Sequence, residues 1–370
     1  MEIKEILRNL VNIDSRFDKS NKKIFDYIAE LLKKFECTIF EVDNATPKIY
    51  NLVVKIKGKE SDSPLVFIGH TDTVLTNENW STNPFEAIEK NGKLYGLGST
   101  DMKAGLAAMI SVAQNINFEP EQDVYLIFDS DEEYSGKGGL DLVEKFSLNN
   151  ARIIIPEPTN ENLIIGQKGC IDLEIETQGE SLHSSKTSPE KNERLNANYK
   201  AIKICNALID YEKRIYEKKD REYGSSIFSI NYILGGSGAA NVLSDKCILR
   251  TNRRLLPQEN LEEVYEEIER IILEQDPDAK IKKLFYGGTF LTDKESPFSK
   301  KVKEIADKYL EKSNFGIKHS WTEAAVFSKW GEIIVFGPGH EEMAHKTNEY
   351  CELKNLENFS RIFKELVEEE

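Results

Sequence analysis

Residues 65–74 read LVFIGHTDTV, and this stretch decides the fold class. A short apolar run without polar alternation, Leu65 to Ile68, is the pattern of a strand buried on both faces of a sheet. It ends on His70 and Asp72, two positions apart, so both side chains can project to one side. The same texture recurs at Val124–Phe128 ahead of DSDEE, at Arg152–Ile155 ahead of PEP, and at Ile333–Phe336 ahead of GPGHEEMAH. Between these runs, Lys22–Phe35 carries Ile24, Ile28, Leu31 and Leu32 at helical spacing, and Met102–Ala113 is Ala-rich and helical. Strands separated by helices predict an α/β domain whose sheet is at least partly parallel at its centre.

Near Gly166 the pattern changes. CIDLEIET, Cys170 to Thr177, alternates apolar and polar with period two, which predicts a strand with one wet face. A helix over Asn196–Glu212, strands at Ser226–Leu234 and Lys246–Asn252, a helix over Glu259–Leu273 and a strand at Lys280–Phe285 follow. That βαββαβ order is the ferredoxin-like α+β plan. Afterwards a helix over Lys301–Lys312, the Ile333–Phe336 run and a terminal helix to Glu370 return to the first texture. The expected organisation is therefore a catalytic domain of 1–166 and 287–370, interrupted by an inserted domain of 167–286.

A chain of 370 residues can bury a large core and favours two domains over one. The formal net charge of −15 argues against a nucleic-acid partner, which needs a clustered basic face. No apolar stretch approaches the roughly 18 residues of a membrane span. The first residues, MEIKEILRNLVNIDSRFDKS, form an amphipathic helix candidate and lack the parts of a signal peptide. Cys37, Cys170, Cys205, Cys247 and Cys351 are scattered with no CxxC pair, so neither a disulfide framework nor a thiolate metal site is expected. A reduced, cytoplasmic protein is the expectation.

Five side chains suited to metal stand in order near the apolar runs: His70, Asp101, Glu133, Glu157 and His345. An HxD pair at a strand end is either an ordinary turn or a ligand with a carboxylate or carbonyl behind it. Asp101, in GLGSTDMKAG ahead of a helix, is either an N-cap or a carboxylate bridging two cations, with Gly96 and Gly98 admitting close backbone approach. Adjacent acids in DSDEE repel unless cations neutralise them, and one can bind metal while its neighbour serves as general base; the plainer alternative is a solvated acidic turn. Glu157 lies between two prolines on a stiff, non-helical segment, where a surface glutamate is the commoner case. Of His340 and His345, the AHxxNE setting favours His345; His319 has no distinctive setting. Taken together the set predicts metal-assisted hydrolysis of an amide.

These residues resemble the two-zinc aminoacylases, carboxypeptidases and acetylornithine or succinyl-diaminopimelate deacylases. The resemblance runs through GHTDTV, GKLYGLGSTDMKAG, DEE, EPT, HSS, NVLSDKCILRTNRRLLP and AHKTNEY, in family order over nearly the whole chain. Trp80 with NPF, the KLYGLG run, the KG dipeptide and Thr322-Glu323-Ala324 ahead of GPG are similar to the acetylornithine deacetylase branch. The resemblance implies two zinc ions, with cobalt or manganese as substitutes. Asp101 would bridge them, His70 and Glu157 would complete one site, and Glu133 and His345 the other. It further implies Glu132 as general base, Asp72 behind His70, and His183 stabilising the oxyanion, from the neighbouring subunit in family dimers. Asn241 and Arg254 would hold the substrate carboxylate or the closed state, and Glu323 a substrate ammonium. The inserted domain would act as lid and dimerisation domain of a homodimer.

The implied reaction is removal of acetyl from N2-acetyl-L-ornithine, a step of arginine biosynthesis. Succinyl-diaminopimelate desuccinylase, a dipeptidase or carboxypeptidase, and an inactive zinc-binding protein on the same scaffold are the alternatives. Two departures from the family pattern fall in the inserted domain. The spacer after HSS, with SPEKNER and Leu195 ahead of Asn196-Ala197, is longer, and Asn252 replaces the usual aspartate. They bear on the dimer and the closing motion more than on the metal site.

Overall fold

The computed structural model describes residues 1–221 and 223–369. Met1–Ile165, Leu291–Gly316 and Thr322–Glu370 form one compact unit, and Gly166–Phe290 with Ile317–Trp321 form a second.

In the first unit the apolar runs become neighbouring strands. Across the sheet the order is Glu36–Glu41, Tyr50–Ile56, Gln122–Asp129, Glu60–His70, Ala151–Pro158 and Gly331–Gly337. Glu60–His70 pairs parallel with both Gln122–Asp129 and Ala151–Pro158, and Ala151–Pro158 pairs parallel with Gly331–Gly337. Tyr50–Ile56 and Glu36–Glu41 extend the sheet antiparallel, so it is mixed with a parallel centre. The central strands are continuous in apolar residues because helices cover both faces. Helices Ile3–Val11, Lys22–Leu32, Lys103–Asn115, Pro297–Tyr309 and Leu353–Glu369 pack with Phe67, Leu126, Phe128, Ile154 and Phe336 in one core. On the other side lie Lys137–Lys145 and the short Ala324–Phe327 helix, with Trp330 buried against Phe327 and Phe146.

The helix Lys103–Asn115 is buried from Lys103 to Ala113, which explains why its sequence is Ala-rich instead of amphipathic. A Cβ at Gly105 would lie 2.1 Å from the Pro156 carbonyl oxygen, so only glycine lets this helix approach the strand that bears Glu157. The N-terminal helix is shorter than its charged, amphipathic sequence suggests, ending at Val11. Beyond it Ser15 donates to the Thr71 carbonyl at 2.7 Å, and Asp14 pairs with Arg16. The Lys301–Lys312 expectation is displaced toward the N-terminus, because Ser296 caps a helix starting at Pro297 by accepting the Ser299 N–H at 3.1 Å. The end of the terminal helix at Glu370 lies outside the described residues.

The second unit has the βαββαβ order of a ferredoxin-like fold. Its sheet runs Ile227–Gly235, Lys246–Leu255, Gly169–Gln178, Lys280–Gly287, all antiparallel. Helices Ala197–Tyr216 and Leu261–Gln275 share one core with Ile171, Leu173, Ile175 and Leu249. The long spacer after HSS makes a further helix, Pro189–Leu195, whose Ser188 accepts the Lys191 N–H at 3.3 Å. Among the described residues no helix is long and apolar enough to cross a membrane.

Candidate metal centre

The parallel strands of the first unit end together, and in open α/β sheets that carboxyl edge is where ligands bind. His70 is the last residue of its strand and sits in register beside Asp129, while Glu157 is the penultimate residue of Ala151–Pro158. Asp101 stands at the mouth of the Lys103–Asn115 helix but does not cap it: Met102 occupies the cap position, and no side chain supplies the cap hydrogen bond. Its two oxygens face two imidazoles. Oδ1 is 3.3 Å from His70 Nε2, and Oδ2 is 3.4 Å from His345 Nε2. Glu157 Oε1 lies 3.4 Å from His70 Nε2, and Glu133 Oε2 lies 2.8 Å from His345 Nε2. All five side chains foreseen as ligands are therefore brought together, and Asp101 lies between the two pairs.

The orientation of the His70 ring and of the acidic turn has a local cause. His70 Nδ1 donates to the Asp72 backbone carbonyl at 3.0 Å, which turns Nε2 toward the acids. The Asp72 carboxylate is farther from the ring, 3.7 Å from Nδ1, and works elsewhere. It accepts the N–H groups of Glu132 at 3.4 Å and Glu133 at 3.1 Å, fixing the acidic turn. Asp131 and His345 both have left-handed backbones, φ 66° and 61°. Such conformations cost free energy in non-glycine residues and concentrate where a site over-determines them.

The charges show what the cluster needs. Burial works against protonated His70, yet the carboxylates of Asp101 and Glu157 hold its ring well above the ordinary histidine value. His345 is pushed up to about 11 by Asp101 and Glu133. Burial opposes ionisation of Asp101, but His345 and His70 hold it well below the carboxylate range. Burial, then the Asp101 charge, pushes Glu133 up to about 7, and burial with Glu157 and Glu133 raises Glu132 strongly. Glu132 and Glu133 pushed up by burial and by neighbouring acids, beside imidazoles pushed up by the same acids, describe a site short of positive charge. Glu133 Oε1 is also buried without a donor among the described residues. Ligand atoms of His70, Glu132 and Glu157 lie within 4.8 Å of one another, as do those of His70, Asp101 and Glu133. Imidazole nitrogen and carboxylate oxygen at such spacing fit divalent transition metals, with zinc first among them.

Glu323 is buried, 2% exposed, and another buried acid, Asp129, acts on its carboxyl. Both Asp129 carboxylate oxygens are buried without a hydrogen-bond partner among the described residues. Burial pushes Asp129 up to about 6, and burial with the Asp129 charge raises Glu323 further. Glu323 Oε1 has no donor among the described residues. Asp129 was missed by sequence reasoning; its signal was an acid closing the strand directly after the apolar run Val124–Phe128.

In the second unit, Asn241 Nδ2 is 3.4 Å from His183 Nε2, and both residues are exposed. The Ser185 N–H donates to His183 Nδ1 at 3.2 Å, and the Ser185 hydroxyl lies 2.8 Å from the same nitrogen. Arg254 Nε donates to Asn252 Oδ1 at 3.3 Å, and Asn252 Nδ2 donates to Asp172 on the neighbouring strand. Asn252 thus stands between Arg254 and the Asp172 carboxylate on the paired strand.

Residues 66–369 match peptidase family M20/M25/M40. The chain belongs to that family. It is a metal-dependent hydrolase acting on amides, on an α/β catalytic domain. Acetylornithine deacetylase of Buchnera aphidicola subsp. Schizaphis graminum is 26% identical over 363 residues, 96% of this chain and 93% of that protein. A probable succinyl-diaminopimelate desuccinylase of Staphylococcus aureus is 26% identical over 397 residues, 97% and 98% of the two chains. In fold, an M20 family metallo-carboxypeptidase of Sulfolobus solfataricus superposes with a TM-score of 0.80 at 16% identity, covering 100% of this chain and 99% of that one.

Proposed function

We propose that this chain is a two-metal deacetylase converting N2-acetyl-L-ornithine to L-ornithine and acetate, a cytoplasmic step of arginine biosynthesis. The observation that carries the metal part is the division of the Asp101 oxygens between the His70–Glu157 and His345–Glu133 pairs. Those five residues would hold two zinc ions, for which cobalt or manganese can substitute. Bound divalent ions supply an activated water and a polarised carbonyl. Glu132 takes the proton of the attacking water and delivers it to the leaving amine. His183 donates from Nε2 to the oxyanion, and Asn241 and Arg254 hold the substrate carboxylate.

The substrate reading is supported by the unpaired, buried oxygen of Glu323 backed by Asp129, an acceptor suited to a side-chain ammonium. It is supported as well by the likeness to acetylornithine deacetylases. The likeness to a desuccinylase makes N-succinyl-diaminopimelate the competing substrate. Release of amine from N-acetylornithine, N-succinyl-diaminopimelate and a dipeptide by the zinc-loaded protein decides between them. N-acetylornithine should give the highest kcat/KM, and Glu323→Gln should lower that value by about 10–100-fold, the effect of a lost charged hydrogen bond. Preference for either other substrate would leave the metal centre standing and remove the assignment to ornithine.

The second unit is proposed as lid and dimerisation domain. Its edge strand exposes Ile227, Tyr232, Ile233 and Leu234, and the helix Ala197–Tyr216 exposes Tyr199, Ile202 and Ile209. An apolar open edge of this kind is a liability unless paired, and a second copy can pair it. Sedimentation at micromolar protein should give a dimer, and Ile233→Lys should give a monomer with reduced kcat, as His183→Ala should reduce kcat within the dimer. A wild-type monomer with full turnover would sink both the dimer and a partner-supplied His183.

A further inference from the structure

The AHKTNEY segment that carries His345 also carries a buried carboxylate to which the proposed chemistry gives no role. Glu349 is 1% exposed. Its Oε2 accepts the Gly98 N–H at 2.8 Å, and its Oε1 accepts the N–H groups of Thr100 at 2.7 Å and Asp101 at 2.9 Å. The Glu349 carbonyl accepts the Gly96 N–H at 3.0 Å, and the next residue pairs with Tyr95 in a short antiparallel ladder. The glycine-rich loop that delivers Asp101 is thus tied at four successive points to the segment that delivers His345.

The loop needs such a tie. Gly96 and Gly98 have φ of 150° and 76°, and a chain with this freedom does not hold one conformation on its own. Asp101 must present one oxygen to His70 and the other to His345, at 3.3 and 3.4 Å, so a small rotation of the loop would open one contact or the other. A carboxyl group is the side chain that fits the task, since its two oxygens can face three N–H donors together. A glutamine of equal size would turn its NH2 group on at least one of those donors, leaving buried groups unpaired.

We propose that Glu349 is a positioning residue for the metal centre: it locks the Gly98–Asp101 loop to the His345 segment so that one aspartate serves both metal positions. This rests on the proposed bridging role of Asp101. It requires Glu349 to act on metal affinity and coordination, not on substrate contact.

The test uses the full chain as Glu349→Gln and Glu349→Asp. Zinc affinity is read by competition with a chelating dye, the cobalt-loaded protein by its visible absorption, and folding by the thermal transition of the metal-free protein. Glu349→Gln should melt cooperatively yet bind zinc about 10–100-fold more weakly, the usual effect of losing a group that orients a ligand, with an altered cobalt spectrum. Glu349→Asp keeps both oxygens but draws them back by a methylene, and its affinity should fall between the two. Wild-type zinc affinity and an unchanged cobalt spectrum in Glu349→Gln would overturn the proposal, whatever its melting temperature. If that variant does not fold, wild-type affinity in Glu349→Asp overturns it equally. Asp101→Ala separates the two readings: if it retains zinc, the bridging role itself fails, whereas loss of zinc there with none in Glu349→Gln removes only Glu349.

Discussion

Glu132→Gln should retain full metal content and lose about 10³-fold in kcat, the usual contribution of a positioned general base. The structure separates Glu132 from the acids that face imidazoles. Glu133, Asp101 and Glu157 each lie within 3.4 Å of a histidine Nε2, whereas Glu132 has no such contact. Its backbone N–H is held by Asp72, as is that of Glu133, so the turn places the two neighbouring carboxylates independently of any ion. Glu132 also belongs to a group of ligand atoms with His70 and Glu157, and this makes the variant informative. If Glu132 is a ligand, the glutamine variant will lose metal as well as rate. Measuring zinc content beside kcat distinguishes the two: rate lost with metal kept identifies the base, and metal lost in parallel with rate assigns Glu132 to the coordination sphere. KM should change little, since no ground-state contact with substrate is removed.

The catalytic unit was legible in the sequence where one physical cause dominated. Apolar runs such as LVFI and VYLIF, too short for a helix and rich in β-branched and aromatic residues, read as central strands, because a sheet covered on both faces favours apolar residues throughout. The ferredoxin-like unit was legible from period-two alternation in CIDLEIET and from its helix spacing, although the helix over Ala197–Tyr216 runs on past the predicted end. Asp101 was ambiguous for a sound reason: N-cap and bridging ligand ask for the same residue just ahead of a helix. Only the orientation of its carboxylate toward His70 and His345 separates them. Asp129 and Glu349 were not legible, because each acquires its meaning from a partner remote in sequence. Asp129 becomes notable through contact with Glu323, and Glu349 through N–H groups of the Gly98–Asp101 loop. The Asn252 departure shows the converse, a change visible in the sequence whose hydrogen bond to Asp172 is visible only across paired strands.

Asp101→Ala should abolish metal binding at both positions together, with zinc affinity lower by at least ~10²-fold and turnover lost with it, since even orienting groups contribute 10–100-fold. No other side chain in the centre faces both imidazoles. His70 and Glu157 would keep their 3.4 Å contact, and His345 and Glu133 their 2.8 Å contact, but with Glu132 serving as base each pair would then offer only two donors. Two donors fall short of the three protein ligands that catalytic zinc sites ordinarily use. Removing a terminal ligand should behave differently. Glu157→Ala leaves Asp101, Glu133 and His345 intact, so one ion should remain at near wild-type affinity while the other is lost. The contrast in stoichiometry, none against one, measured by elemental analysis after gel filtration, is what a shared aspartate predicts. Equal loss in the two variants would mean that the positions fill only as a unit. Retention of one ion in Asp101→Ala would show that the two pairs do not depend on a common ligand, and the dinuclear reading of this cluster would fall.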